Sequence, residues 1–166
     1  MEVRVSAANT YLPVRVTLRK EKEILVQTEN DDGIIRQVIE TAPAEGFVFG
    51  LYNAGVITYG SDQKLPANTL MATGVTNADG SLVFSGMYPH GDYYLKEIVV
   101  PDGWLLSAEK HPVKLTAANR ANGEEMIEVV LERPILNHLI YTPVTITKTD
   151  ITGAEKLPGA LIEIAD

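Results

Sequence analysis

The chain has 166 residues, 45% of them hydrophobic and 22% charged, which suffices for one buried core and excludes wholesale disorder. Its 14 Lys and Arg against 22 Asp and Glu leave a net charge of −8, which argues against nucleic-acid binding by charge. There is no cysteine, so disulfides, thiolate nucleophiles and Cys-based zinc sites are excluded, and no apolar run approaches the ~20 residues of a membrane span.

Apolar residues recur mostly at every second position, the period of a half-buried strand. Val14, Val16 and Leu18 alternate with Arg15, Thr17 and Arg19, predicting a strand near 14–21. The run 34–40 is rich in β-branched Ile and Val and reads as strand rather than helix. Phe47, Phe49 and Leu51 continue the alternation near 47–53. Further strands are expected near 69–76, 81–86, 92–99, 111–116, 126–133 and 138–148. Turn signals separate them, among them Asp32-Gly33, Asn53-Ala54-Gly55, Pro101-Asp102-Gly103 and Asn122-Gly123. Asp79-Gly80 suits a hairpin turn that needs positive φ. The pattern predicts an all-β fold, an antiparallel sandwich or barrel.

Short internal matches suggest a tandem array. VTLRK (16–20) is echoed by VTITK (144–148), EGFVFGLYN (45–53) by PGALIEIAD (158–166), and YLPV (11–14) by YTPV (141–144). The simplest division takes 1–13 as the closing strand of a preceding repeat or an N-terminal extension. It takes 14–143 as one complete sandwich and 144–166 as the first strands of a following, incomplete repeat. The abrupt stop at Ile164-Ala165-Asp166 reads as the edge of an excised piece. A tail of this kind exposes strand edges, and is expected to pair with its own domain or with the tail of another molecule.

The most informative stretch runs from Thr76 to Trp104. Thr76, Asp79, Gly80, Phe84, Gly91, Tyr93 (or Tyr94), Leu95, Glu97, Pro101 and Gly103 follow one another in an order that resembles the Cna-B/SpaA-type, prealbumin-like domains of Gram-positive surface adhesins and pilins. Met87, Val100 and Trp104 depart from that pattern where Leu, Ala and Tyr are usual. GFVFGLYN and VTITKTD resemble the family's other strands, and 21–45 stands out as an insertion. The resemblance implies an Ig-like, prealbumin-like sandwich, with strands of neighbouring repeats at both ends.

Many such domains carry an intramolecular isopeptide bond between a first-strand Lys and a last-strand Asn, assisted by a carboxyl. The resemblance assigns Lys20 as the amine and Glu97 as the assisting carboxylate. The usual acceptor position holds Glu132, and Asn137 follows it, so either Asn137 or Glu132 is the partner. The chemistry needs a buried Lys that loses its charge, a carboxyl that moves protons, and a fold that supplies effective molarity without a cofactor. Two blander readings remain open. Lys20 sits in the charged run Arg19–Glu23 and could be a solvated strand end, or it could join Glu97 and Glu132 in a non-covalent cluster. Glu97 shares its strand face with Tyr93 and Leu95, so it is predicted to point inward with a partner, because an unpaired inward carboxylate is costly. Trp104 is placed to close one end of the sandwich with its ring and leave its polar tip in water.

His90, His111 and His138 lack metal-ligand spacing, and no metal or cofactor is expected. No Ser/His/Asp arrangement supports an enzyme such as a transthyretin-like hydrolase. The leading reading is an extracellular stalk or spacer module of the bacterial cell wall or surface, without turnover, whose partners are neighbouring repeats of the same polypeptide. The alternative is a ligand-binding adhesin domain for a host matrix protein or glycan, using exposed aromatics such as Tyr59 and Tyr88 and the insertion 21–45. Neither nucleic acid nor membrane is an expected partner of this stretch.

Overall fold

The structure is a computed structural model that describes residues 13–29, 35–59, 63–116, 126–141 and 152–153. Eleven strands are formed among them and no helix: β1 (Pro13–Glu29), β2 (Ile35–Pro43), β3 (Val48–Asn53), β4 (Ile57–Tyr59), β5 (Gln63–Leu65), β6 (Leu70–Val75), β7 (Ser81–Met87), β8 (Gly91–Val99), β9 (Lys110–Leu115), β10 (Ile127–Val130) and β11 (Ile135–Asn137).

Two sheets face each other across the core. One has the order β6-β3-β8-β9 and is antiparallel throughout. The other is organised around β1, which changes partners along its length. Residues Pro13–Arg19 pair antiparallel with β7, and Glu21–Glu29 pair antiparallel with β2. On the opposite edge, β10 and then β11 run parallel to β1. The antiparallel expectation thus holds for most pairs, while the first and last strands of the sandwich lie side by side in parallel. β4 and β5 form a separate small hairpin.

The alternation of β1 determines what is buried. Val14, Val16, Leu18 and Lys20 all face the core, opposite Phe47, Phe49 and Leu51 of the second sheet, and each is nearly inaccessible. Burial of such apolar side chains contributes roughly 1.5–3 kcal/mol each, which makes this layer the main source of cohesion.

Four local expectations are revised. The insertion is a continuation of the sheet: β1 extends to Glu29 and pairs with β2 as a long two-stranded arm. Its outer part carries exposed Leu25 and Ile39 as cross-strand partners. Asp79-Gly80 does not close a hairpin, because β6 and β7 belong to different sheets; it makes the crossover between them, with Gly80 at φ 75°. The strand expected over 126–133 is interrupted: β10 ends at Val130, and β11 starts only after Pro134, which has no N–H for a ladder. Of the strand expected over 138–148, residues 138–141 make a single bridge, Leu139 to Trp104, and the rest lies outside the described residues. The flanking segments assigned to neighbouring repeats, 1–13 and 144–166, also lie outside them apart from Pro13 and 152–153.

Candidate ligation site

Lys20 is the last inward residue of β1 before the sheet hands over from β7 to β2. Its backbone is held on both sides: Lys20 N–H donates to the Gly80 carbonyl at 2.8 Å, and its own carbonyl accepts from Ala44 N–H at 3.0 Å. The side chain is 1% exposed. Its Nζ donates to the carbonyls of Ile135 (2.8 Å) and Glu21 (3.0 Å) and lies 5.1 Å from the centroid of the Phe47 ring. Burial pushes the Lys20 ammonium down to about 8, with Glu97 and then Glu21 opposing that shift through their charge. The charged run around Lys20 is therefore no guide to its environment.

Glu97 follows Tyr93 and Leu95 on the core face of β8, as the alternation predicts, and is 2% exposed. The ladder with β3 shifts register at this point, Val48 facing Val99 and Phe49 facing Glu97. Glu97 Oε2 accepts from Ser107 N–H at 2.9 Å and from Asn137 Nδ2 at 2.7 Å. Its other oxygen, Oε1, lies 3.9 Å from Lys20 Nζ.

Asn137 closes β11 and is 1% exposed. The parallel register places Ile135 beside Lys20 and Asn137 beside Lys22, so Asn137 lies one inward position further along the same edge. Its Nδ2 uses both hydrogens, one to Glu97 Oε2 and one to the Leu105 carbonyl at 2.7 Å. Asn137 Oδ1 and Glu97 Oε1 are buried and accept no hydrogen bond among the described residues. Leaving a buried polar atom unsatisfied costs roughly 1–3 kcal/mol, and two in one cluster mark a site that stability alone does not explain.

The structure thus brings Lys20, Glu97 and Asn137 into one buried cluster. Glu132 is exposed between β10 and β11, and Lys20 has Ile135, Glu21 and Glu97 as its polar neighbours instead. The cluster of Lys20, Glu97 and Glu132 is therefore not formed. Sequence reasoning missed the backbone groups that orient the cluster, namely the carbonyls of Leu105 and Ile135 and the amide of Ser107; backbone atoms leave no residue-type signal. Trp104 does close the end of the sandwich, edge-on to Phe47 at 6.0 Å between centroids. Its indole N–H, expected in water, instead donates to the Glu23 carbonyl at 2.7 Å, and Lys22 Nζ sits 4.4 Å from the centroid of its ring. Tyr88, expected as an exposed aromatic, is buried in the core cluster, and the Tyr59 side chain lies outside what is described.

The cluster holds an amine, an amide carbon and a carboxyl without water access, which is the inventory for acyl transfer from an amide to an amine. Among the described residues no group of three or more His, Asp or Glu could hold a metal ion.

No curated protein matches the chain. Among solved structures it is similar to the minor pilin of Streptococcus agalactiae, with 20% identity, a TM-score of 0.47, and coverage of 83% of this chain and 49% of that one. It is similar to the group B streptococcus pilus 2b backbone protein, with 19% identity, a TM-score of 0.42, and coverage of 75% and 40%. A mutant form of the shaft pilin SpaA from Lactobacillus rhamnosus GG gives 22% identity, a TM-score of 0.42, and coverage of 90% and 59%. The chain therefore spans about half the length of these proteins. The model of the SpaA prealbumin-like fold domain matches residues 37–128, more than half of the chain and including Glu97. With that match and the two-sheet architecture, the chain belongs to the SpaA prealbumin-like fold domain family.

Proposed function

We propose that this chain is a structural module of a Gram-positive surface protein of the pilin or adhesin kind, exposed outside the cell, and locked by an isopeptide bond between Lys20 and Asn137. The observation that carries the reading is the cluster itself: a buried Lys, a buried Glu and a buried Asn, with two orphaned oxygens between them.

In the ligation, Lys20 gives up its extra proton to Glu97, and the neutral amine attacks Cγ of Asn137. The Nζ–Cγ bond forms as the Cγ–Nδ2 bond breaks. Glu97, already hydrogen-bonded to Nδ2 through Oε2, passes that proton to the leaving nitrogen and takes the second proton from Nζ as the new amide forms, so ammonia departs and Glu97 ends as the carboxylic acid. Burial favours the first step by disfavouring the ammonium, and the fixed β1–β11 register supplies the effective molarity. The event happens once per chain and is not turnover.

The topology gives the bond a mechanical purpose. β1 enters the sandwich and β11 leaves it, side by side and in parallel, so tension applied to the chain would shear one against the other. A bond from Lys20 to Asn137 would pass the load directly across that pair and leave 21–136 unloaded. It would also close a loop on the order of 100 residues, which by analogy with a disulfide removes about 4–5 kcal/mol of unfolded-state entropy. The flanking segments 1–13 and 144–166 fit this role as joints to neighbouring repeats of the same polypeptide.

Intact mass under denaturing conditions tests the reading. A deficit of one ammonia, with fragments joined at Lys20 and Asn137, is the expected result. A deficit of one water would point to a carboxyl acceptor, and a full mass would remove the covalent lock from this domain.

A further inference from the structure

Glu23 lies at the root of the inserted arm, outside the cluster, yet its contacts converge on the loop that orients the cluster. Its Oε2 accepts from Leu139 N–H at 3.0 Å, and its Oε1 is 2.8 Å from His138 Nδ1. Its backbone carbonyl accepts the Trp104 indole N–H. One residue of the arm therefore ties together the segment that follows Asn137 and the loop that follows β8. These two are also joined to each other: Leu105 N–H donates to His138 O at 2.9 Å, and Ile140 N–H donates to Gly103 O at 2.8 Å, on either side of the Trp104–Leu139 bridge. The next groups along the same loop are the Leu105 carbonyl, which holds Asn137 Nδ2, and the Ser107 amide, which holds Glu97 Oε2.

We propose that Glu23 is a positioning residue for the Lys20–Asn137 ligation: by pinning 138–139 and Trp104 to the arm, it keeps Leu105 and Ser107 where they aim Asn137 and Glu97 at Lys20. The inference rests on the ligation reading above. The arm is then a working part of the reaction site. Its β1 half continues from the strand that carries the nucleophile, and its Glu23 carboxylate holds the segment that follows Asn137. Trp104 is held by the backbone carbonyl of that same residue, against Phe47 on which the Lys20 amine also rests, so the wall of the chamber and the acceptor are tied to one point of the arm. Misplacement of reacting groups by about 1 Å costs on the order of 10²-fold in rate, which sets the size of the expected effect.

The test is a time course of ammonia loss by intact mass on full chains made by cell-free synthesis and quenched in acidic denaturant. Glu23→Ala should slow bond formation by on the order of 10²-fold while the chain still folds. Glu23→Gln, whose side-chain oxygen still accepts from Leu139 N–H, should restore most of the rate. Trp104→Phe keeps the ring but loses the N–H to Glu23 O; it should also be slow, and it serves if Glu23→Ala does not fold. A wild-type chain that ligates while Glu23→Ala and Trp104→Phe ligate equally fast overturns the positioning role and leaves the ligation intact. If the wild type shows no ammonia loss, the ligation reading fails. Hydrogen exchange of the Asn137 side-chain amide then decides the positioning role: faster exchange in Glu23→Ala supports it, and unchanged exchange overturns it.

Discussion

Lys20 and Asn137 approach Glu97 through different oxygens, the amine 3.9 Å from Oε1 and the amide nitrogen 2.7 Å from Oε2. In the proposed ligation a proton taken from the amine rests on Oε1, and the carboxylic acid turns that O–H towards Nδ2 to deliver it, while Ser107 N–H holds Oε2 beside the leaving nitrogen beforehand.

In the proposed ligation Glu97 serves both charge balance and chemistry, and the two separate by mutation. Glu97→Ala should yield a chain of full mass, and should destabilise it by about 3–5 kcal/mol beyond the lost cross-link, because the Lys20 ammonium is left buried and unpaired. Lys20→Met combined with Glu97→Gln removes both charges and should recover much of that loss without restoring the bond. Chemical denaturation of the two variants, with intact mass alongside, checks both statements. Equal stability of the single and the double variant would mean that the Lys20–Glu97 pair contributes nothing.

The cluster was partly legible in the sequence. Lys20 continues the inward positions Val14, Val16 and Leu18, and Glu97 continues Tyr93 and Leu95, so period two alone points both inward. The charged neighbours of Lys20 obscured this, since four of them crowd one strand. Asn137 was harder. The break at Glu132–Pro134 resets the alternation, and only the parallel register with β1 shows that Asn137, rather than Glu132, returns to the core. Parallel pairing between the two ends of a domain is a long-range fact that no local pattern encodes. Half of the arm was legible as the strand expected over 34–40, whereas the continuation of β1 to Glu29 was not, because the apolar residues there fall on both faces and give no single buried stripe.

Lys20 also predicts a pH dependence. Asn137→Ala blocks the bond and leaves the buried amine titratable. The folded Lys20 sits at about 8 against 10.5 for an ordinary Lys. Below 8 the folded and unfolded chains both hold the proton, and this group gives no slope. Between about 8 and 10.5 the unfolded chain binds more protons, so stability rises with pH and then levels off. Urea midpoints of Asn137→Ala across this range should increase, and Lys20→Met in the same background should abolish the increase. A flat profile would mean that burial does not disfavour the ammonium.

Gly80 supports the site from behind. It lies at φ 75°, and a Cβ there would clash with the Lys20 carbonyl oxygen. That carbonyl accepts from Ala44 N–H, and the Lys20 N–H donates to Gly80 O, so the clash falls on the backbone that aims the amine. Gly80→Ala should cost about 1–3 kcal/mol in stability from the strained backbone and should also slow ammonia loss. Denaturation and the mass time course measure the two effects separately. Wild-type stability would show that β7 and β1 can part at this end without cost.

Asn137 is selected as an amide by its two acceptors. Glu97 Oε2 and the Leu105 carbonyl both approach Nδ2 at 2.7 Å, and each accepts one of its hydrogens. Asn137→Asp would set a carboxylate oxygen against both. The electrostatic repulsion must be relieved by a proton or by displacement, and either one changes the geometry of attack. Asn137→Asp should therefore keep its full mass at neutral pH and be less stable than Asn137→Ala, although it is closer in shape to the native residue. A loss of one water from Asn137→Asp, as fast as ammonia is lost from the wild type, would show that the two acceptors do not set the preference and that proximity to Lys20 alone is enough.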